Sequence, residues 1–121
     1  MLVSALRTEF LLVAENGSGD QIKRRAIGAY LGLAVGDALG ATVEFMTPRE
    51  IRTHYREHRD IKGGGWLKLR KGRVTDDTEM ALALGRSILS AGAVDARAAA
   101  EAFSAWMRSK PIDIGNTVRR G

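Results

Sequence analysis

Cysteine is absent from the 121 residues of this sequence, which excludes disulfides, a thiolate nucleophile and a cysteine-based zinc site. Long apolar runs are lacking as well. The longest, residues 26–36, is far shorter than the roughly 20 residues of a membrane span, and Asp37 follows it. The first 14 residues carry no basic segment ahead of their apolar patches, so we expect no secretory signal. These absences predict a cytoplasmic protein without a membrane span.

Positive charge is unevenly distributed. The net charge is +5, and residues 49–73 alone carry nine Lys and Arg against Glu50, Glu57 and Asp60. Such a segment could attract a polyanion. No zinc finger, aromatic RNA-binding signature or basic zipper accompanies it, so we predict a solvated face and no nucleic-acid partner.

Alternating strand patterns are scarce, and only residues 66–74 could form a hairpin. Apolar residues at helical spacing predict an all-α class instead. We predict two parts. Residues 1–22 form an N-terminal extension and linker, because residues 16–20 are rich in turn formers, and residues 23–121 form the helical portion.

Start and stop signals define the helices. Residues 21–39 form the first, and glycines at every fourth position from Gly28 to Gly40 predict a central helix that another backbone approaches closely. Thr47-Pro48-Arg49-Glu50 is a capping box that starts a short helix to about residue 57. A third helix follows Thr75 and stops at Gly92, and Asp95 caps a fourth that ends before Pro111.

Residues 75–78 (TDDT) allow two interpretations. Threonine as N-cap with acids in the first turn is ordinary helix-start chemistry, and these residues alone favour it. Successive helical side chains diverge by about 100°, however, so Asp76 and Asp77 could each serve one of two neighbouring ions. Their oxygen ligands suit Mg²⁺ or Mn²⁺.

Four other features are unremarkable singly. Asp37 on an apolar helix predicts a hydrogen-bonded structural carboxylate. Glu44 leaves that helix for a loop, and the glycines of residues 63–66 (GGGW) could face a phosphate but equally form a flexible turn. Residues 113–116 (DIGN) are typical of a loop and helix cap.

Together and in this order, four segments resemble the ADP-ribosylglycohydrolase family, with the closest likeness to dinitrogenase-reductase-activating glycohydrolases of nitrogen-fixing bacteria. The resemblance covers about residues 23–121. The segments are 26–45 (AIGAYLGLAVGDALGATVEF), 63–66 (GGGW), 75–80 (TDDTEM) and 113–116 (DIGN).

The resemblance implies the N-terminal part of an all-helical hydrolase that removes ADP-ribose from modified arginine on a protein substrate, with dinitrogenase reductase as the candidate substrate. It implies two Mg²⁺ or Mn²⁺ ions, which would fix the ribose hydroxyls and orient water. The matching metal ligands are Thr75, Asp76, Asp77 and Glu44. The ribose-binding residues are Asp113, Gly115 and Asn116, and the catalytic carboxylates are Asp113 and Glu44, with the identity of the base left open.

One departure from the family keeps alternatives open. Family members are more than twice as long, and their second cluster, an Asp-x-Asp-Thr run, has no counterpart here. We therefore expect a fragment that is inactive alone. One alternative is a non-catalytic module that binds ADP-ribose or a partner. A lesser one is a zinc peptidase, because residues 54–58 (HYREH) match His-x-x-Glu-His and would place both histidines on one helix face.

Overall fold

The computed structural model describes residues 17–120, which contain five helices and no strand. The chain divides into two compact units, Met1–Gly32 and Leu33–Gly121. Of the first, only residues 17–32 are described, and the candidate site lies wholly in the second. No helix in the described part is long and apolar enough to cross a membrane. The all-α prediction is confirmed. The helices are α1 Gly17–Gly40, α2 Pro48–Tyr55, α3 Asp76–Ala91, α4 Ala96–Arg108 and α5 Asn116–Arg120.

Helix α1 includes residues that the sequence assigned to a linker. The linker prediction is wrong for residues 17–20, which are helical. Asp20 stands in the first turn, where a carboxylate is favoured, and pairs with Arg24 one turn later. Glycine raises the cost of a helix without forbidding it. Asn16 and the predicted N-terminal extension before it lie outside the described residues.

The glycine stripe of α1 does not mark a close helix contact within residues 17–120. A Cβ atom built at Gly28, Gly32, Gly36 or Gly40 meets no atom within 4 Å. Ala38 alone is buried among the α1 side chains that the structure describes, so the described residues do not cover this helix, and its central position stays a prediction. Helical periodicity shows which residues share a face, but it cannot show whether that face is covered.

The capping box of α2 forms as predicted. The Thr47 backbone N–H donates to Glu50 Oε2 at 2.7 Å, and the Glu50 N–H donates to Thr47 Oγ1 at 3.3 Å. The helix ends at Tyr55, two residues earlier than predicted, because Arg56 adopts a φ of 56°.

This early end separates the two histidines of the His-x-x-Glu-His match. His54 stays on α2 and donates from Nδ1 to Glu50 O at 2.9 Å. His58 lies beyond the helix and donates from Nε2 to Leu39 O at 2.7 Å. The shared helix face that a zinc peptidase requires is therefore absent, and that alternative is wrong.

Helices α3 and α4 form the main helix pair of the described chain. As predicted, Gly92 in the left-handed conformation ends α3, and Asp95 caps α4 by accepting the Ala98 N–H at 2.7 Å. A carboxylate between the helices is doubly bound: Glu79 accepts the Trp106 indole N–H at 2.9 Å and the Arg73 guanidinium at 2.7 Å. The buried apolar side chains are Ala38, Ala41, Leu69, Val74, Leu82 and Trp106.

The glycine run forms an irregular loop and no hairpin. Gly63, Gly64 and Gly65 all have positive φ, and Gly64 exchanges two backbone hydrogen bonds of 2.8 Å with Leu69 in an isolated bridge. The predicted hairpin over residues 66–74 is wrong, because no second pair of bridged residues follows this one to make two strands. A phosphate cradle here would lack the Gly64 N–H, which Leu69 O already accepts.

Gly65 allows the loop to reach the turn that follows α1. A Cβ atom at Gly65 would collide with Ala41 O and lie 3.2 Å from Thr42 O. The absence of a side chain therefore permits a backbone contact that places Trp66 beside residues 41–45.

Gly65→Ala should lower the free energy of unfolding by about 2–4 kcal/mol, because the methyl group adds a collision to a φ of +69°. Gly64→Ala is the matched control. Its φ is +82° and its Cβ atom would meet nothing within 4 Å, so only about 1 kcal/mol of backbone strain is expected. Urea unfolding followed by circular dichroism measures both, and equal losses would show that the collision is not the cause.

Candidate active site

Asp37 on α1 holds the start of α3 through four hydrogen bonds. Its Oδ2 accepts the backbone N–H groups of Thr75 and Thr78 at 2.9 and 3.2 Å and the Thr78 hydroxyl at 2.5 Å. Its Oδ1 accepts the Thr75 hydroxyl at 2.6 Å. Both threonines are buried. The prediction that Asp37 is a hydrogen-bonded structural carboxylate is confirmed.

The start of α3 is capped from outside the helix. Thr75 occupies the N-cap position, but its side chain makes no capping hydrogen bond, so the ordinary helix-start interpretation is wrong in this respect. Asp37 instead accepts the N–H of Thr78, the third helical residue, in the way that a local N-cap would. Because the Thr75 hydroxyl proton points to Asp37, its oxygen lone pairs face away and are available to another partner.

Asp37 is ionised at neutral pH. Burial alone would raise the pKa of this carboxyl, but the side-chain and backbone hydrogen bonds from Thr75 and Thr78 together hold the pKa below its ordinary value of 3.8. A carboxylate is an acceptor at both oxygens, as four incoming donors require.

Asp76 fixes the loop that precedes α5. Its Oδ2 accepts the Gly115 N–H at 2.9 Å, and within that loop Asp113 Oδ1 accepts the Ile114 N–H at 2.8 Å. A contact across 39 residues thus brings Asp113, Gly115 and Asn116 to the start of α3.

Glu44 lies in the turn over residues 41–45, directly after α1. The Trp66 indole N–H donates to Glu44 Oε2 at 2.8 Å. Sequence reasoning gave Trp66 no role of its own. The available signal was a tryptophan directly after three glycines, where the chain can approach another backbone closely.

All the predicted site residues line two adjoining cavities of about 510 and 560 Å³, and Glu44, Asp76 and Asp77 line both. The first also contains Asp37 and Thr75. The second is lined further by Phe45, Trp66, Asp113, Ile114, Gly115, Asn116 and Arg119.

The carboxylates at the start of α3 repel one another. Partial burial of its carboxyl, followed by the negative charges of Asp76, Asp37 and Asp113, raises the pKa of Asp77 above its ordinary value. The residue as a whole is exposed. An added cation would therefore relieve an unfavourable interaction.

The donor set fits a hard divalent cation in kind, because it consists of carboxylate and hydroxyl oxygens. The number of ligands is small. Within residues 17–120, no three histidine or acidic side chains are placed to hold a metal ion. Water or further groups would have to complete the coordination shell.

Comparison with known proteins assigns the chain to a family. The ADP-ribosylglycohydrolase family model matches residues 18–121. The chain belongs to the ADP-ribosylglycohydrolase family. It is 58% identical over 104 residues to the ADP-ribosyl-[dinitrogen reductase] glycohydrolase of Rhodospirillum rubrum, covering 86% of this chain and 35% of that protein.

Two further relatives in the family carry the name ADP-ribosylarginine hydrolase Tri1. The protein from Serratia proteamaculans is 41% identical over 121 residues, covering 94% of this chain and 31% of the relative. The one from Pseudomonas putida is 44% identical over 108 residues, covering 83% and 28%. The chain thus spans about a third of the length of these curated relatives.

Asp37→Asn should lower the free energy of unfolding at pH 7 by about 2 kcal/mol or more, because hydrogen bonds to a charged group are lost. Since the pKa of Asp37 is lowered in the folded state, its stabilisation is present above about pH 4 and is lost as the pH falls below that value. The difference from the unaltered protein should therefore shrink in acid. Asp95→Asn is the control: asparagine is an equally good N-cap, so a change of a few tenths of a kcal/mol is expected. Equal losses in both variants would contradict the special role of Asp37.

Asp77→Asn should raise the free energy of unfolding at pH 7 without added cation by about a few tenths of a kcal/mol, measured by urea unfolding, because a repelled and exposed charge is removed. The raised pKa means that the repulsion grows as the pH rises through that value, so the gain should vanish below about pH 4. Asp60→Asn, which removes an acid from the basic segment, should give no gain. Destabilisation by Asp77→Asn would show that Asp77 has a favourable partner.

Proposed function

We propose that this chain supplies one side of the active site of a metal-dependent hydrolase that removes ADP-ribose from ADP-ribosylated arginine on a protein. Membership of the family supports a glycohydrolase, and the names of the relatives specify arginine and dinitrogen reductase as their targets. The observation that carries the proposal is the convergence of Glu44, Asp76, Asp77 and Asp113 on adjoining cavities. A cytoplasmic location remains a prediction from the sequence.

Thr75, Asp76, Asp77 and Glu44 would hold the two Mg²⁺ or Mn²⁺ ions. Hydrogen bonds already orient two of these groups. The bond to Asp37 fixes the Thr75 hydroxyl, and the bond from Gly115 fixes Asp76 and leaves one of its carboxylate oxygens uncontacted by Gly115. When bound, the metal would fix ribose hydroxyls and lower the pKa of bound water. The chain supplies these ligands from a helix start and one turn, which leaves other positions to water or further groups.

Asp113, Gly115 and Asn116 would contact the ribose from the loop before α5. The reaction breaks the bond between ribose carbon C1″ and the arginine nitrogen, and water supplies a hydroxyl to carbon and a proton to the departing guanidine. Asp113 would stabilise the positive charge that develops on the ribose as this bond lengthens. Either Asp113 or Glu44 would accept the proton of water.

A binding module without catalysis is the second candidate. The small number of acidic and imidazole ligands within residues 17–120 favours it, because the same loop could hold ADP-ribose without a full metal shell. Turnover separates the two functions.

A chimera tests the proposal: residues 18–121 replace the matching segment of the Rhodospirillum rubrum relative, and release of ADP-ribose from ADP-ribosylated arginine is measured with Mn²⁺. We expect turnover. Asp76→Ala and Asp77→Ala should lower kcat by about 100-fold or more and weaken Mn²⁺ binding in calorimetry. Asp113→Ala should lower kcat similarly while Mn²⁺ affinity stays within about threefold. Asp95→Asn is the control.

Unchanged Mn²⁺ affinity in both α3 variants would refute the ligand assignment, and loss of Mn²⁺ binding in Asp113→Ala would refute its placement at the ribose. ADP-ribose binding by the chimera without turnover would favour the binding module. The 121-residue chain alone should bind Mn²⁺ weakly and release no ADP-ribose. Multiple turnovers by that chain would show that its own ligands suffice.

A further inference from the structure

Two large aromatic side chains stand in solvent at the wall of the 560 Å³ cavity. Phe45 is 80% exposed and Trp66 is 52% exposed. Their rings meet edge to face, with centroids 5.5 Å apart and an interplanar angle of 62°. The same cavity contains Asp76, Asp77 and Asp113, so the aromatic pair borders the candidate reaction centre.

The backbone of Phe45 is strained, and burial of its side chain does not offset that strain. Its φ is +61°, in the left-handed region that costs a phenylalanine about 1–2 kcal/mol. Within residues 17–120 its ring buries little surface that could compensate. Strain of this kind, at a residue beside a reaction centre, is typical of a position shaped by ligand binding.

Trp66 is held in place from two directions. Its indole N–H donates to Glu44, and the residue before it, Gly65, lies against the backbone of Ala41 and Thr42. The indole ring is therefore positioned before any ligand arrives, which lowers the entropy cost of binding to it.

The charge of the cavity selects among planar ligands. Of its four carboxylates, the proposed function assigns Glu44, Asp76 and Asp77 to metal, which leaves Asp113 to pair with a cationic ligand. A guanidinium group can stack on an aromatic ring while its N–H groups point to carboxylates at its edge. Adenine also stacks, but it is uncharged and offers a carboxylate no cationic N–H groups.

We propose that Phe45 and Trp66 form a platform for the guanidinium of the substrate arginine, beside the bond that is cleaved. This inference rests on the proposed function and specifies the part of the substrate that these side chains recognise. Arginine would be preferred over lysine because an ammonium group has no plane to stack.

Tryptophan fluorescence tests the platform directly, because the chain has two tryptophans, of which Trp66 is half-exposed and Trp106 is buried. The 121-residue protein is titrated with N-acetyl-arginine methylamide, N-acetyl-lysine methylamide and AMP, with and without Mn²⁺. The arginine compound should cause a saturable change with a millimolar midpoint. The lysine compound should bind at least about fivefold more weakly, and AMP should have no effect on Trp66.

Variants separate the platform from general effects. Trp66→Leu should remove the signal, with circular dichroism and Trp106 emission reporting that the fold is retained. Phe45→Ala leaves Trp66 in place and should weaken arginine binding about three- to tenfold. Val94→Ala is the control, since Val94 is 81% exposed and lines neither cavity.

A response to AMP in place of arginine, equal binding of arginine and lysine, or full binding by Phe45→Ala would overturn the proposal. Failure of the aromatic platform can be distinguished from failure of the proposed function. An active chimera whose parent chain shows no arginine response refutes the platform alone. An inactive chimera with an intact arginine response refutes the hydrolase alone.

Discussion

The candidate site depends on one carboxylate that points into the protein. Asp37 collects two backbone N–H groups and two hydroxyls from the start of α3, and so fixes Thr75 and Thr78 against α1. Asp76 and Asp77 lie between these two threonines in the sequence and line the same cavity as Asp37. Asp76 then holds Gly115 and with it the loop before α5. A structural acid therefore holds the helix start that carries the candidate site residues.

The charge arrangement at the start of α3 opposes the stability of the folded state. A helix N-terminus repels cations, and a metal site there needs an excess of carboxylate. The cost of that excess is visible in the raised pKa of Asp77, whose neighbours are negative. Asp37 adds to that repulsion, but its own charge is stabilised by the hydrogen bonds from Thr75 and Thr78, which lower its pKa. The two acids lie close in space but have opposite effects on the folded state.

Features encoded by neighbouring residues could be predicted from the sequence. The capping box at Thr47, the Asp95 cap and the stop at Gly92 involve partners within four residues, and all three were found. The family motifs also located every residue of the two cavities that we assigned to the site. Distant contacts were not predictable: the donor role of Thr75 needs Asp37, 38 residues away, and the hydrogen bond from Trp66 needs Glu44, 22 residues away. The glycine stripe of α1 is limited in the same way, since spacing along a helix does not specify a neighbour.

The distance along the chain between Asp37 and Thr78 also constrains the order of folding. Both α1 and the start of α3 must exist before the carboxylate can bind its donors, and the 37 to 78 contact encloses α2, the basic segment and the glycine loop. Closing a loop of that length costs entropy before the hydrogen bonds compensate for it. The Asp37 contact therefore needs the whole intervening segment to be in place, whereas the Asp76 contact with Gly115 does not involve α1. During synthesis, the candidate site cannot be arranged until the start of α3 has left the ribosome.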